Sequence, residues 1–173
     1  MNESKEIQGI PMTLNMIVPL EVGIAVRDLP RMRRFYEQVL GFTFVSEVAV
    51  PTANAVQAAM HAGGYTAVRL QTNHGERIKL LAPVQAPAAE PAPRYILDKA
   101  NATYLTFIVD DIQAAVDRLI AAGVAFMTGP QRIEVRPGTY LAFCRDPEGN
   151  VLEIVQYADI AAYRPDLQPP RNA

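Results

Sequence analysis

The strongest constraint on this chain is an internal repeat. Val26-Arg27-Asp28-Leu29 matches Val109-Asp110-Asp111-Ile112. In each copy an apolar run ends at the valine, and an aspartate stands where it can cap a helix. A glycine suited to stop that helix follows fifteen residues on in one copy, Gly41, and fourteen in the other, Gly123. At the far ends Gly75 precedes Glu76-Arg77-Ile78-Lys79, and Gly149 precedes Asn150-Val151-Leu152-Glu153. The two halves therefore share a start, a helix stop and a last strand. A single βαβββ unit leaves an apolar sheet face open, whereas two can bury theirs together. The expected fold is α+β, with two tandem βαβββ modules forming a curled-sheet cup.

Periodicity fills in the elements. Leu20 to Val26 reads as a strand, and Met32, Phe35, Tyr36, Val39 and Leu40 follow at helical spacing. Phe42 to Val50 is a strand, and Thr52 to His61 a short helix or an ordered loop. Tyr65 to Gln71 and Arg77 to Leu81 are strands joined by a turn at Asn73-His74-Gly75. The second half repeats the order. It has a strand over Thr103 to Val109, a helix carrying Ile112, Val116, Leu119 and Ile120, and strands over Val124–Met127, Ile133–Val135, Thr139–Cys144 and Val151–Gln156. Asp146-Pro147-Glu148-Gly149-Asn150 is the turn between the last two. The organisation read from this is an N-terminal arm over 1–17, a first module over 18–82, a Pro/Ala-rich linker over 83–102, a second module over 103–157 and a loose tail over 158–173.

Composition removes several classes of function. With 173 residues, half of them hydrophobic and a fifth charged, the chain suits one compact core. A net charge of −2 and no basic stripe argue against nucleic acid. No apolar run approaches a membrane span, and Met1-Asn2-Glu3-Ser4-Lys5-Glu6 has no apolar signal core. The single cysteine, Cys144, forms no intrachain disulfide and reads as a packed thiol. The expected compartment is the cytoplasm. Arg31, Arg33 and Arg34 form a solvated helix face, Phe35 and Tyr36 belong to the core, and Gly63-Gly64 is too short for a phosphate loop.

Val22-Gly23-Ile24-Ala25-Val26-Arg27-Asp28-Leu29, then Phe35-Tyr36 and Leu40-Gly41-Phe42, resembles the opening of the glyoxalase/bleomycin-resistance/dioxygenase superfamily, also called vicinal oxygen chelate proteins. Phe143-Cys144-Arg145-Asp146-Pro147-Glu148-Gly149-Asn150-Val151-Leu152-Glu153 resembles its closing hairpin. The resemblance spans roughly residues 18–157. It implies a cup in which four inward positions, on the first and last strand of each half, usually hold a divalent metal. The repeat register places these at Glu21 and Tyr104, five residues before each valine, and at Lys79 and Glu153, four after each glycine.

The sequence departs from that pattern at two of the four. A protonated lysine has no lone pair to offer, and neutral tyrosine is a poor ligand. Two carboxylates make a weak site for Zn, Fe or Ni. No cofactor is therefore expected; if a metal binds, Glu21 and Glu153 are its ligands. Lys79 reads as a built-in cation between two carboxylates, paired with Glu21, Glu153 or both. Breaking such a pair, if buried, typically costs about 3–5 kcal/mol. Tyr65, Arg69 and Gln71 alternate on one strand and face either the cup or solvent, and His61 is a further candidate for contact with a ligand.

The function expected is binding of a small carbonyl-bearing or aromatic metabolite. A metal-free lyase or isomerase would use Glu21 or Glu153 as base, with Lys79 and Tyr104 steadying an oxyanion. The alternatives are a ligand-sequestering protein of the bleomycin-resistance type and a divalent-metal lyase or dioxygenase with atypical ligands. A homodimer is expected, since curled sheets leave edges that pairing protects.

Overall fold

The computed structural model describes residues 16–167. Most of the arm expected over 1–17, and the end of the tail, lie outside the described residues. The repeat is realised as two four-stranded sheets of the same order. The first comprises β1 (Glu21–Ala25), β2 (Thr43–Val50), β3 (Tyr65–Gln71) and β4 (Arg77–Pro83), arranged β1-β4-β3-β2. The second comprises β5 (Tyr104–Ile108), β6 (Ile133–Arg136), β7 (Thr139–Arg145) and β8 (Val151–Tyr157), arranged β5-β8-β7-β6. In each sheet the first and last strands run parallel and the other pairs antiparallel. This is the expected α+β fold of two tandem βαβββ modules.

The repeated sequence landmarks do the same work in both halves. Val26 N–H donates to the Leu81 carbonyl and Val109 N–H to that of Val155, both at 2.9 Å, closing each parallel pair. Asp28 caps α1 (Leu29–Arg34) by accepting from Arg31 N–H, and Asp111 caps α3 (Ile112–Ala121) by accepting from Ala114 N–H, both at 3.0 Å. Gly41 and Gly123 end the helical segments with φ of +80° and +82°, and Gly75 and Gly149 turn the last hairpins at +98° and +97°. Between these points α1 widens into a π-helical turn over Phe35–Val39, where Leu40 N–H reaches the Phe35 carbonyl. The sequence spacing had indicated one plain helix there.

Both helices pack on the same kind of face, and the halves share one core. Ile24, Ile78, Leu80, Val68 and Leu70 of the first sheet join Met32, Phe35 and Tyr36. Leu152, Ile154, Ala142 and Cys144 of the second join Ile112, Val116 and Leu119. Phe42 meets Phe107 edge-on at 6.1 Å, stitching one half to the other. Ile120, expected on the buried stripe, is 41% exposed. Burial pushes the Cys144 thiol up to about 11, with Asp146 adding to the effect, which suits an inert packed side chain.

Two expectations are corrected and one is narrowed. Val124–Met127 forms no strand, because Gly129 and Pro130 turn the chain away. It keeps one bridge between Phe126 and Cys144, and Met127 N–H donates to the Phe143 carbonyl. Thr52–Gln57 is a helix, α2, ending short of His61. The described part of the tail, 158–167, carries structure. Ile160–Tyr163 forms α4, capped by Asp159, and the Tyr157 and Tyr163 rings stack at 3.7 Å. Among the described residues no helix is long and apolar enough to cross a membrane.

A long-range polar lock fixes the halves to each other. The Glu148 carboxylate, in the turn between β7 and β8, accepts from Arg27 N–H at 2.9 Å and Asp28 N–H at 2.6 Å, with the Arg27 guanidinium 3.7 Å away. In the same turn the buried Asp146 accepts from the Tyr36 hydroxyl at 3.1 Å and from Glu148 N–H, Asn150 N–H and the Asn150 amide. Burial and the neighbouring Asp146 hold the Tyr36 phenol far above its usual range. The Glu148 side chain is only 7% exposed. Glu148→Ala strands two backbone donors and should cost about 1–3 kcal/mol. Urea unfolding should show this as a lower midpoint in a single transition, and an unchanged midpoint would refute the lock.

Candidate functional site

Each sheet has a core face and an opposite, open face. On β1 the buried Ile24 points to the core, so Glu21, Gly23 and Ala25 line the open face. The registers extend that face across both sheets. Glu21 pairs with Arg77 and Gly23 with Lys79; in the second half Tyr104 pairs with Val151 and Thr106 with Glu153. The four positions picked out by the repeat thus occupy equivalent places on the open faces, two on each sheet.

On the first sheet Lys79 stands opposite a glycine. With no side chain at Gly23 to crowd it, the ammonium leans along the strand to Glu21, Nζ to Oε2 3.6 Å. Arg77 approaches the other carboxylate oxygen of Glu21 at 3.5 Å and donates from Nε to the Gln71 carbonyl oxygen at 2.6 Å. Glu21 is therefore held by two cations. The Lys79 and Glu21 side chains are 32% and 28% exposed, so this cluster is partly wet. The pairing with Glu21 follows the sequence expectation, but the fully buried setting assumed for its energy does not hold.

On the second sheet Glu153 accepts a hydrogen bond from the Thr106 hydroxyl at 2.7 Å. Among the described residues it forms no ion pair. Tyr104 and Phe143 come from the strands on either side of β8, and their rings meet edge-on at 5.5 Å. Tyr157, four residues beyond Glu153, has its phenol pushed up to about 12, by burial first, then by Tyr163 and Glu153.

No described hydrogen bond or ion pair joins the Glu21–Lys79 cluster to the Tyr104–Glu153 cluster. Arg69 and Gln71 share the open face with Lys79, because Arg69 pairs directly with Lys79 and Gln71 with Arg77. Tyr65 sits on the same face at its rim, paired with Pro83. His61 uses Nδ1 locally, accepting from Gly63 N–H at 2.9 Å. Sequence reasoning missed Arg77 and Thr106. Both lie two residues from a named position, so the period of a strand already placed them on the same face. A cavity of about 430 Å³ lies between the linker and the β7–β8 turn, reaching the edge of the open faces at Ala25 and Val151, and its charged lining residues include Arg27 with Glu148 and Lys99 with Glu90, already paired.

The donor set does not fit the divalent ion that the family resemblance implies. Lys79 offers no lone pair and is committed to Glu21, while Tyr104 is packed on Phe143. Among the described residues no three His, Cys, Asp or Glu side chains gather into a ligand group.

Comparison with known proteins agrees with this architecture. The model of the Glyoxalase/Bleomycin resistance protein/Dioxygenase superfamily matches residues 14–154, and the chain belongs to that superfamily. Virulence protein STM3117 of Salmonella typhimurium is 28% identical over 155 residues, covering 88% of this chain and 92% of that one. A glyoxalase family protein from Bacillus cereus superposes with a TM-score of 0.70 at 18% identity, over 86% of this chain and 99% of the other. The trypanothione-dependent glyoxalase I of Leishmania major does so at 0.60 and 19%, over 85% and 91%. These two likenesses establish the fold.

Because the Lys79–Glu21 pair is partly exposed and Arg77 remains beside Glu21, Lys79→Met should cost under about 1 kcal/mol, as exposed pairs do. Urea unfolding of Lys79→Met, Glu21→Gln and the double variant should give a coupling energy of that size. A loss of several kcal/mol would mean a dry, uncompensated carboxylate instead.

Proposed function

We propose that the open faces bind a small carbonyl-bearing or aromatic metabolite, and that Glu153 moves a proton on it without a divalent ion. The observation that carries this reading is the difference between the two carboxylates. Glu21 is neutralised by Lys79 and Arg77, whereas Glu153 has only the Thr106 hydroxyl to orient it. Glu153 is therefore the carboxylate available as a base. It would take the proton from the carbon next to the carbonyl. The electron pair would move onto the carbonyl oxygen, steadied by the Lys79 ammonium and the Tyr104 hydroxyl. Where the deprotonated carbon bears a hydroxyl, return of the proton to the former carbonyl carbon while the hydroxyl proton passes to the oxyanion moves the carbonyl by one carbon and gives an isomerase. Expulsion of a leaving group from the next carbon as the carbonyl re-forms gives a lyase.

This chemistry needs the two open faces to meet. They carry large apolar side chains that no other described residue covers: Val48, Tyr104, Ile108 and Ile133 are each more than 40% exposed. Pairing of two chains, each offering its first sheet to the other's second, would cover them and complete the cup. Light scattering should give about twice 19.0 kDa. A mass that stays at one chain across a wide concentration range would refute the homodimer.

A base contributes about 10²–10⁴-fold to such a step. Glu153→Gln should therefore slow deuterium exchange at the carbon beside the carbonyl of a small aromatic ketone by at least 100-fold, read by NMR, with ligand binding retained. Undiminished exchange would remove Glu153 from the chemistry. Binding without exchange in the parent protein would favour the sequestering reading.

A further inference from the structure

The open face of the first sheet carries more positive charge than its own structure uses. Arg69, Arg77 and Lys79 stand on adjacent strands of that face with Glu21 as the one carboxylate among them, in a chain whose net charge is −2. Arg77 is held by Gln71 and Glu21, and Lys79 by Glu21. Arg69 is different. Among the described residues it makes no ion pair and no hydrogen bond, and its direct cross-strand partner is Lys79. Like charges placed directly opposite destabilise a sheet. The other neighbour of Arg69 is Ser46 on β2, and the residues sharing that face further along β2, Val48 and Val50, bring no carboxylate. The fold therefore sets Arg69 opposite a second cation that Glu21 already neutralises, and among the described residues it gives Arg69 no carboxylate of its own.

An oxyanion placed between Arg69 and Lys79 turns that repulsion into charge-assisted hydrogen bonds. The guanidinium fork suits the two oxygens of a carboxylate, and the ammonium adds a point charge. The second sheet offers the complement. Its open face presents Tyr104, Ile108, Phe143 and Leu141 as an apolar and aromatic surface, with its cations at the ends of the strands, where Arg136 donates to Thr139 and Arg145 to the Gly149 and Pro93 carbonyls. Its one carboxylate, Glu153, stands at the repeat position that Lys79 fills in the first sheet.

We infer that Arg69 and Lys79 form an anion subsite, and that the ligand is a monoanion whose carboxylate lies on them while its aromatic or branched apolar body lies against Tyr104, Ile108 and Phe143. This rests on the reading above that the two open faces enclose one ligand. Arg69 is then a specificity-determining residue, with no part in moving the proton.

The test is calorimetric titration of the intact protein with 3-phenylpropanoate, its neutral analogue 3-phenylpropanamide, propanoate and inorganic phosphate. 3-Phenylpropanoate should bind at least tenfold more tightly than the other three, and its affinity should fall as salt is raised. Arg69→Gln should lose that tenfold on 3-phenylpropanoate and leave the amide unchanged, and Arg69→Lys should lose less. Unliganded Arg69→Gln should unfold at the same or a higher urea concentration than the parent, because a like-charge pair is relieved. Equal binding of acid and amide, or undiminished binding of the acid by Arg69→Gln, would overturn the subsite. Equal binding of phosphate would overturn the apolar half, and no binding of any probe would overturn the whole inference. These titrations read no proton transfer. Selective binding of the acid without exchange would sink the catalytic reading alone, and exchange on a neutral ketone without acid preference would sink the subsite alone.

Discussion

Everything in this molecule hangs on one carboxylate that reaches from the second half to the first. Glu148 collects the backbone N–H groups of Arg27 and Asp28, where the chain leaves β1 and enters α1. Those donors have no hydrogen-bond partner within their own module among the described residues, so the second half supplies what the first lacks. Asp146 and Tyr36 add a buried bond beside it, and Phe42 packs on Phe107 nearby. The equivalent lock in the other direction is missing. The residue at the Glu148 position in the first half is His74, and the start of α3 takes its bond from Gln156 instead, Oε1 accepting from Ile112 N–H at 3.1 Å. The repeat is symmetric in its backbone and asymmetric in what joins it.

The same asymmetry governs the open faces. Equivalent positions hold Lys79 in one half and Glu153 in the other, and Glu21 in one against Tyr104 in the other. A divalent ion would ask for a free lone pair at each position, and this chain places an ammonium at one and a packed phenol at another. Arg69, Arg77, Lys79 and one neutralised carboxylate lie on the first sheet. A lone carboxylate among aromatic side chains lies on the second. Gly23 matters to this arrangement: a side chain there would stand directly opposite Lys79, and its Cβ would already lie 3.3 Å from Leu81.

What the sequence made legible was local and periodic. Asp28 and Asp111 announce their helices because a capping side chain bonds three residues ahead. Gly75 and Gly149 mark turns because their φ is positive. The repeat register picked out Glu21, Lys79, Tyr104 and Glu153 as equivalent positions, and the strand pairings put them on the open faces. Less legible were features decided elsewhere in the chain. Glu148 looks like an ordinary turn residue until a segment 121 positions away is brought to it. The apolar residues around Phe126 predict a strand, yet only Cys144 bridges to it, as Gly129 and Pro130 divert the path. The roles of Arg77 and Thr106 depend on strand register, which no single strand reveals.

The central claim is that Lys79 and Tyr104 have replaced metal ligands with chemistry of their own, leaving Glu153 as an organic base. It is tested most directly by titrating chelator-treated protein with Ni²⁺ and Zn²⁺ in a calorimeter, alongside Glu153→Ala. The account predicts no one-per-chain site that disappears with Glu153. A tight site of one ion per chain, lost in Glu153→Ala, would contradict it.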